Sequence, residues 1–243
     1  MNLATHLLKI TPQNQTVVAC ISYASLLFGL WMVMTGSVSA WWLLATFIVY
    51  MAMQLSVTVG CHRLFTHRTF ECHKAWHWIF SVCATLSCQA SAVSWVHVHY
   101  THHKYSDTDQ DPHITHWSFL FFKRYIGLSG KYSKVVVNLA KDPVHKFLHE
   151  YAMLFILSVA CVLALINPLL LLFGLIAPMG YYFITCGLHQ IFSHRSKEPR
   201  NLPWMELAFP MGEWVHADHH VDSSRWDFGA YDIGSYLIRW IKK

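Results

Sequence analysis

No Asp, Glu, Lys or Arg occurs between Lys9 and Arg63, and none between Glu150 and Arg195. These uncharged tracts, of about fifty and about forty residues, leave few folds open, because one membrane-crossing helix needs only about twenty apolar residues. Each tract has room for two helices and a short turn, so the chain is expected to form two helical hairpins in a bilayer. In the first, the legs run near Val17 to Thr35 and Trp41 to Gly60, with Gly36, Ser37, Val38 and Ser39 as the turn. In the second they run near Tyr151 to Ile166 and Leu169 to His189, broken at Asn167 and Pro168, where proline stops a helix.

This arrangement puts every charged residue on one side, in the blocks Met1 to Lys9, Arg63 to Glu150 and Arg195 to Lys243. Neither turn carries Lys or Arg, so the positive-inside rule places those blocks and both termini in the cytoplasm. The formal net charge of +5 agrees. Val38, Ser39 and Ala40 loosely resemble a signal-peptide cleavage site, but the apolar run before them is too long for that reading. A length of 243 residues without a linker rich in Pro, Gly or Ser is read as one membrane-embedded domain, residues 1–243. The seven cysteines include no Cys-x-x-Cys pair and suggest no disulfide framework; Cys20, Cys161 and Cys186 read as small packing residues within spans. A nucleic-acid partner is not expected.

In a chain that is 54% hydrophobic and 13% charged, eighteen histidines are many, and they are bunched. Three clusters stand out: His62 with His67, His99 with His102 and His103, and His216 with His219 and His220. In the last two the spacing i, i+3, i+4 projects three rings from one helix face. His62 and His67 are separated by about 140° on an ideal α-helix, so they serve one site only if the helix ends or bends there. The remaining histidines, His6, His73, His77, His113, His116, His145, His149 and His194, are read as surface or hydrogen-bonded residues; His97, beside the second cluster, is left open. Zinc sites use three or four protein ligands, so eight or nine imidazoles imply two metal ions. Imidazole suits Zn, Cu, Fe and Ni alike, and iron becomes attractive only because the apolar surroundings suggest oxidation of a lipid.

At these residues the chain resembles the membrane fatty acid desaturase family, in particular its delta-9 acyl-CoA and acyl-lipid branch. The resemblance runs through HRLFTHR at His62 to Arg68, WVHVHYTHHKYSDTDQDPH at Trp95 to His113 and GEWVHADHH at Gly212 to His220. It also includes Arg200-Asn-Leu, Trp226-Asp-Phe-Gly and Tyr231-Asp-Ile-Gly. It implies an all-α, four-span membrane enzyme with a cytoplasmic helical cap and two non-haem irons, which uses O2 and two external electrons to remove two hydrogens from a saturated acyl chain. By the same resemblance one iron takes His62, His67, His99, His103 and His219. The other takes His102, His216, His220 and a histidine from the end of the last span, matched by His189, with His194 as its rival. A cis double bond at delta-9 is the implied product. The implied partners are a membrane lipid or acyl-CoA substrate and a separate electron donor of ferredoxin or cytochrome b5 type.

Asp107, Asp109, Asp111, Asp218 and Glu213 are candidates to orient the rings and offset the metal charge. Two departures from the family pattern stand out. Thr185 replaces the asparagine that the family often has one helical turn before the last span's histidine. His97-Val98 replaces the Arg-Asp pair through which animal acyl-CoA desaturases contact the CoA headgroup, which makes a glycerolipid acyl chain at least as good a substrate. Lys123, Arg124, Lys131, Lys134 and Lys141 form a basic stretch, read as topology charges or as a dock for headgroups or an acidic donor.

A related di-iron hydroxylase or ketolase is the alternative within the same chemistry. A histidine-rich metal transporter or a membrane haem protein is a more distant one. A transporter places its ligands near the bilayer midplane, and a haem needs only one or two axial histidines.

Overall fold

A computed structural model describes residues 8–113, 116–120, 132–195, 197–207 and 211–243, and the side chains of residues 206 and 207 are not described. His6, Lys123, Arg124 and Lys131 lie outside these residues. The described chain is all-helical, with one isolated bridge between Cys72 and Lys242.

Helix α1 spans Pro12–Met34. It starts where Thr11 and Asn14 exchange side-chain-to-backbone hydrogen bonds and where Pro12 needs no N–H partner. It ends at Thr35, and Gly36, with φ of 71°, makes the turn expected from the sequence. Helix α2 covers Trp41–Thr66 and is regular to Leu55. From Ser56 to Thr66 it winds as a π-helix, so it runs six residues past Gly60, where the sequence reading ended it.

Short helices follow: α3 at Lys74–Leu86, α4 at Ala92–Tyr105, α5 at Lys134–Leu139 and α6 at Pro143–Glu150. Helix α7, Ala152–Ile166, turns from α6 by 83°. Asn167 then caps α8, Pro168–Ser193, by accepting from the Leu169 N–H at 2.9 Å, which accounts for the break read at Asn167-Pro168. Helices α9, His216–Val221, and α10, Ile233–Ile241, complete the described chain.

Helices α1, α2 and α8 are each long and apolar enough to cross a membrane, and the bent pair α6–α7 offers a fourth crossing. Alone, α7 is about 22 Å long at 1.5 Å per residue, less than the hydrocarbon thickness of about 30 Å. Leu27, Phe28, Trp31 and Leu165 each expose more than half of their surface, an apolar exterior suited to lipid. The chain is therefore a multi-pass membrane protein.

Close helix contacts hold the spans together, as expected where lipid removes any hydrophobic drive between them. A Cβ on Gly180 of α8 would lie 2.4 Å from the Ser22 carbonyl oxygen of α1. A Cβ on Gly60 would meet the Phe80 Cβ at the same distance, so the missing side chain lets α3 cross α2.

The chain beyond the third histidine cluster is tied to α2 by a buried ion pair. Arg63 Nη1 and Nη2 donate to Asp232 at 2.7 and 3.2 Å, and the two side chains are 1% and 0% exposed. Arg63 also donates to the carbonyls of Met211 and Trp226, and its guanidinium lies 4.2 Å from the Phe228 ring centroid. Three of the histidines read as structural are so: His73 caps α3, His145 bonds Ser81 at 2.6 Å, and His149 bonds Ser91 at 2.8 Å.

Candidate metal centre

The π-helical end of α2 solves the spacing problem of the first cluster. A π-turn pairs residues five apart, and the His67 N–H donates to the His62 carbonyl at 3.1 Å. Both rings consequently face one site, with centroids 5.0 Å apart. His99, His102 and His103 project from the C-terminal half of α4, and His216, His219 and His220 from α9.

The imidazoles sort into two groups. In the first, the ligand atoms of His62, His67, His99, His103 and His219 all lie within 4.8 Å of one another. Its neighbouring Nε2 atoms are 2.9 Å apart for His62–His219, 3.0 Å for His219–His103, and 3.1 Å for both His67–His99 and His99–His103. Nitrogens bound at about 2.1 Å and at right angles around one ion stand about 3.0 Å apart, so this cage fits a metal. The second group, His102, His194, His216 and His220, converges under the same limit. Here Nε2 separations are 2.6 Å for His216–His194, 3.1 Å for His220–His216 and 3.3 Å for His102–His220. The groups abut, since His103 and His220 stack at 4.6 Å.

The ninth imidazole to converge is His194, expected from the sequence as a surface or hydrogen-bonded residue and as the rival of His189. His194 directly follows the end of α8. His189 lies inside the helix, its ring 5.0 Å from that of His216, and its Nε2–H donates to the Glu213 carbonyl at 3.0 Å. That hydrogen bond occupies the nitrogen which every grouped ring turns inward. A signal for His194 was present: it stands beside Arg195, where the uncharged tract ends, at the water-facing edge where the other boxes are expected.

Carboxylates hold the outer ring nitrogens. With the proton assigned to Nδ1, His102 donates to Asp111 at 2.9 Å, His194 to Asp107 at 3.1 Å and His62 to Glu213 at 3.2 Å. Each such bond leaves the Nε2 lone pair free to ligate and fixes the ring. Among the described residues Asp109 and Asp218 reach no imidazole. Asp218 instead accepts from Asn201, whose side-chain oxygen accepts from the Ala217 N–H and caps the start of α9, a positioning role the sequence reading did not single out. Lys134 is exposed and Lys141 bonds Asn138, neither at the metal groups.

Burial, aided by neighbouring rings, pushes His219 down to about 2 and His220 to about 3, and burial alone lowers His67 to about 4. These three rings are therefore neutral at pH 7, the form that binds metal. Burial raises Glu213 to about 7, offset partly by Arg63. Unfolded histidine takes up its proton near pH 6.5, whereas these folded rings resist it until about pH 4 to 2. The metal-free protein should accordingly hold a level Tm above pH 7 and lose it steadily from pH 6.5 downward. Thermal unfolding in detergent with a chelator, stepped across pH, checks this, and a flat Tm down to pH 4.5 would contradict it.

A cavity of about 90 Å³ reaches both groups between the spans. His62, His99, His102 and His216 form its metal-side wall, while Val57, Phe119 and Tyr182 supply apolar surface. Thr185 also lines it and donates to the Tyr182 carbonyl at 3.0 Å. Gln190, one turn before His194, is buried there, and its Nε2 has no partner among the described residues.

Fold and site together define a multi-pass membrane protein that carries a histidine-rich metal site beside an internal cavity. Known proteins narrow the class. The chain is 30% identical over 245 residues to the acyl-CoA Delta(11) desaturase of Trichoplusia ni, covering 89% of this chain and 68% of that protein. It is 28% identical to the sn-1 stearoyl-lipid 9-desaturase of Anabaena variabilis, over 69% of this chain and 66% of that one. The Delta-9 acyl-lipid desaturase 1 of Arabidopsis thaliana shares 28% identity over 80% of this chain and 70% of its own length. No family model matches the chain. The chain belongs to the fatty acid desaturase family, and it is an oxidoreductase that acts as a fatty acyl desaturase.

Proposed function

We propose that the chain is an O2-dependent acyl desaturase that introduces a cis double bond at the delta-9 position, using two non-haem irons. One iron is assigned to His62, His67, His99, His103 and His219, and the other to His102, His194, His216 and His220. The observation that carries this reading is the pair of converging imidazole groups at the wall of a cavity between membrane spans. When bound, the iron pair supplies the redox chemistry that reduces O2. The overall change balances as one saturated acyl chain, O2, two electrons and two protons giving one alkene and two waters.

Within that reaction the side chains have separable tasks. Asp107, Asp111 and Glu213 hold Nδ1–H of their imidazoles and so keep each Nε2 available. Glu213, raised to about 7 and lining the cavity, can hold or release a proton at its carboxylate near neutral pH. Val57, Phe119 and Tyr182 exclude water around two neighbouring methylenes of the acyl chain. Gln190 takes the task of the family's asparagine, holding a water toward the His194 group. It suits this better than Thr185, whose hydroxyl is spent on a backbone carbonyl.

The substrate is assigned as an acyl chain on a membrane glycerolipid. At the positions of the CoA-contacting pair, His97 packs its ring 4.7 Å from Tyr132 and Val98 is buried, so neither offers charge to a CoA phosphate. Electrons come from a separate carrier protein. The metal site and both termini face the cytoplasm, by the absence of Lys and Arg from the two hairpin turns.

Fatty acid methyl ester analysis of a host expressing the chain beside His102→Ala tests the reaction, with the double bond located by mass spectrometry. Monounsaturated product is expected from the first and none from the second. Oxygenated products, or no change in the lipids despite two bound irons and a working donor, would overturn the reading. Purified protein given stearoyl-CoA or stearoyl glycerolipid vesicles separates the substrates, and turnover confined to the thioester would refute the glycerolipid assignment.

A further inference from the structure

The cavity at the metal groups is more polar than a plain hydrocarbon chain requires. Helix α2 presents Gln54, Val57, Thr58 and His62 to it, in that order toward the metal groups. Gln54 and Thr58 are 8% and 3% exposed, yet Gln54 Oε1 and the Thr58 hydroxyl have no hydrogen-bond partner among the described residues. Gln89 lines the same cavity and gives its Nε2–H to a weak acceptor, Cys186 Sγ, at 3.3 Å. A polar side chain inside a membrane-crossing helix is costly, and one that the protein leaves unpaired marks a functional site.

Position along α2 says which part of a bound chain these atoms meet. Gln54 and Thr58 precede His62 by eight and four residues, roughly 10 Å and 5 Å of helix, so they face carbons beyond those at the metals. They lie deeper in the span than His62, away from the water-facing edge where a headgroup stays, and therefore on the methyl side of the reacting bond. Several waters fit a cavity of about 90 Å³ and can pair these atoms until an acyl chain displaces them. A hydrocarbon chain then leaves a carboxamide oxygen and a hydroxyl buried and unpaired. A hydroxyl on the chain instead donates to Gln54 Oε1 and accepts from the Thr58 O–H.

We infer that Gln54 and Thr58 form a subsite for a hydroxyl group on the methyl-terminal half of the acyl chain, so that a hydroxylated chain is preferred to its unsubstituted counterpart. This rests on the desaturase reading, since it names the substrate class that the same cavity takes. Dehydrogenation leaves the substituent unchanged: one hydroxyacyl chain, O2, two electrons and two protons give one hydroxyalkenoyl chain and two waters. A buried site that bonds a hydroxyl discriminates against the analogue lacking it far more sharply than an apolar pocket discriminates by one methylene.

The test offers the metal-loaded protein in detergent, with an electron donor, an equal mixture of phosphatidylcholines bearing a stearoyl, 12-, 15- or 18-hydroxystearoyl chain. Product ratios give the relative kcat/KM values, and native mass spectrometry of the protein held without O2 reads which lipid is bound. At least one hydroxylated chain is expected to be favoured about tenfold or more in both measurements. Gln54→Leu and the isosteric Thr58→Val should each cut that preference to about threefold or less. Thr46→Val, also on α2 but bonded to the Phe173 carbonyl and outside the cavity lining, should leave it unchanged. The proposal is overturned if every chain is taken within twofold by the wild type, which would mean that water alone serves these atoms. It is equally overturned if Gln54→Leu and Thr58→Val, folded and metal-loaded, keep the preference. Preferential binding of a hydroxylated chain with no double bond formed in any chain would uphold the subsite and remove the desaturase reading. Equal desaturation of all four would do the reverse, so the two failures are distinguishable.

Discussion

Replacing His194 with alanine is expected to leave about one metal ion per chain instead of two and to cut desaturation on the order of a hundredfold or more. The expectation follows from convergence: the His194 Nε2 lies 2.6 Å from that of His216, and its Nδ1 is anchored by Asp107. His189→Ala should instead retain both ions, because the His189 Nε2 is committed to the Glu213 carbonyl. Its loss should lower activity about tenfold or less, by loosening the segment that carries Glu213 and His216. Metal content by mass spectrometry and product yield from the same preparations decide the matter. Two ions retained in His194→Ala, with one lost in His189→Ala, would reverse the assignment.

Arg63→Ala should be the most destabilising single change in the chain, by about 3 to 5 kcal/mol, because it strands the Asp232 carboxylate in a site with no access to water. Arg63 follows His62 of the first imidazole group, and its hydrogen bonds hold Met211, Trp226 and Asp232, which flank the third histidine cluster on both sides. Metal occupancy should therefore fall together with stability. Arg63→Met combined with Asp232→Leu should recover much of the Tm, since a buried pair replaced by apolar groups leaves no lone charge. If Arg63→Ala shifts Tm by less than about 2 °C, the pair does not latch the C-terminal segment.

How far the sequence could be read depended on the range of the interaction involved. The first hairpin, the Asn167-Pro168 break and the i, i+3, i+4 faces of the second and third boxes are local. They follow from charge-free length, from proline's missing donor, and from helical periodicity. The spacing of His62 and His67 was legible only as a problem. Its answer, eleven residues of π-helix, holds where α2 packs against α3 and α4 at the mouth of the metal site. The extent of α8 had the same difficulty, since neither its π-turn nor its continuation to Ser193 has a capping signal in the chain.

The amino-acid sequence alone determined that the protein sits in a membrane and which three boxes supply eight of the nine imidazoles that converge in two groups able to hold metal. Residue type and short-range periodicity suffice for those conclusions. Tertiary structure decided which rings converge, that His194 and not His189 joins the second group, and which three of five candidate carboxylates hold a ring. Those outcomes depend on distances between residues far apart along the chain, such as the 2.9 Å from His62 to His219 and the 3.1 Å from His194 to Asp107. Only the packing of α2, α4, α8 and α9 sets such distances, because a helix fixes the direction of a side chain but not what stands opposite it.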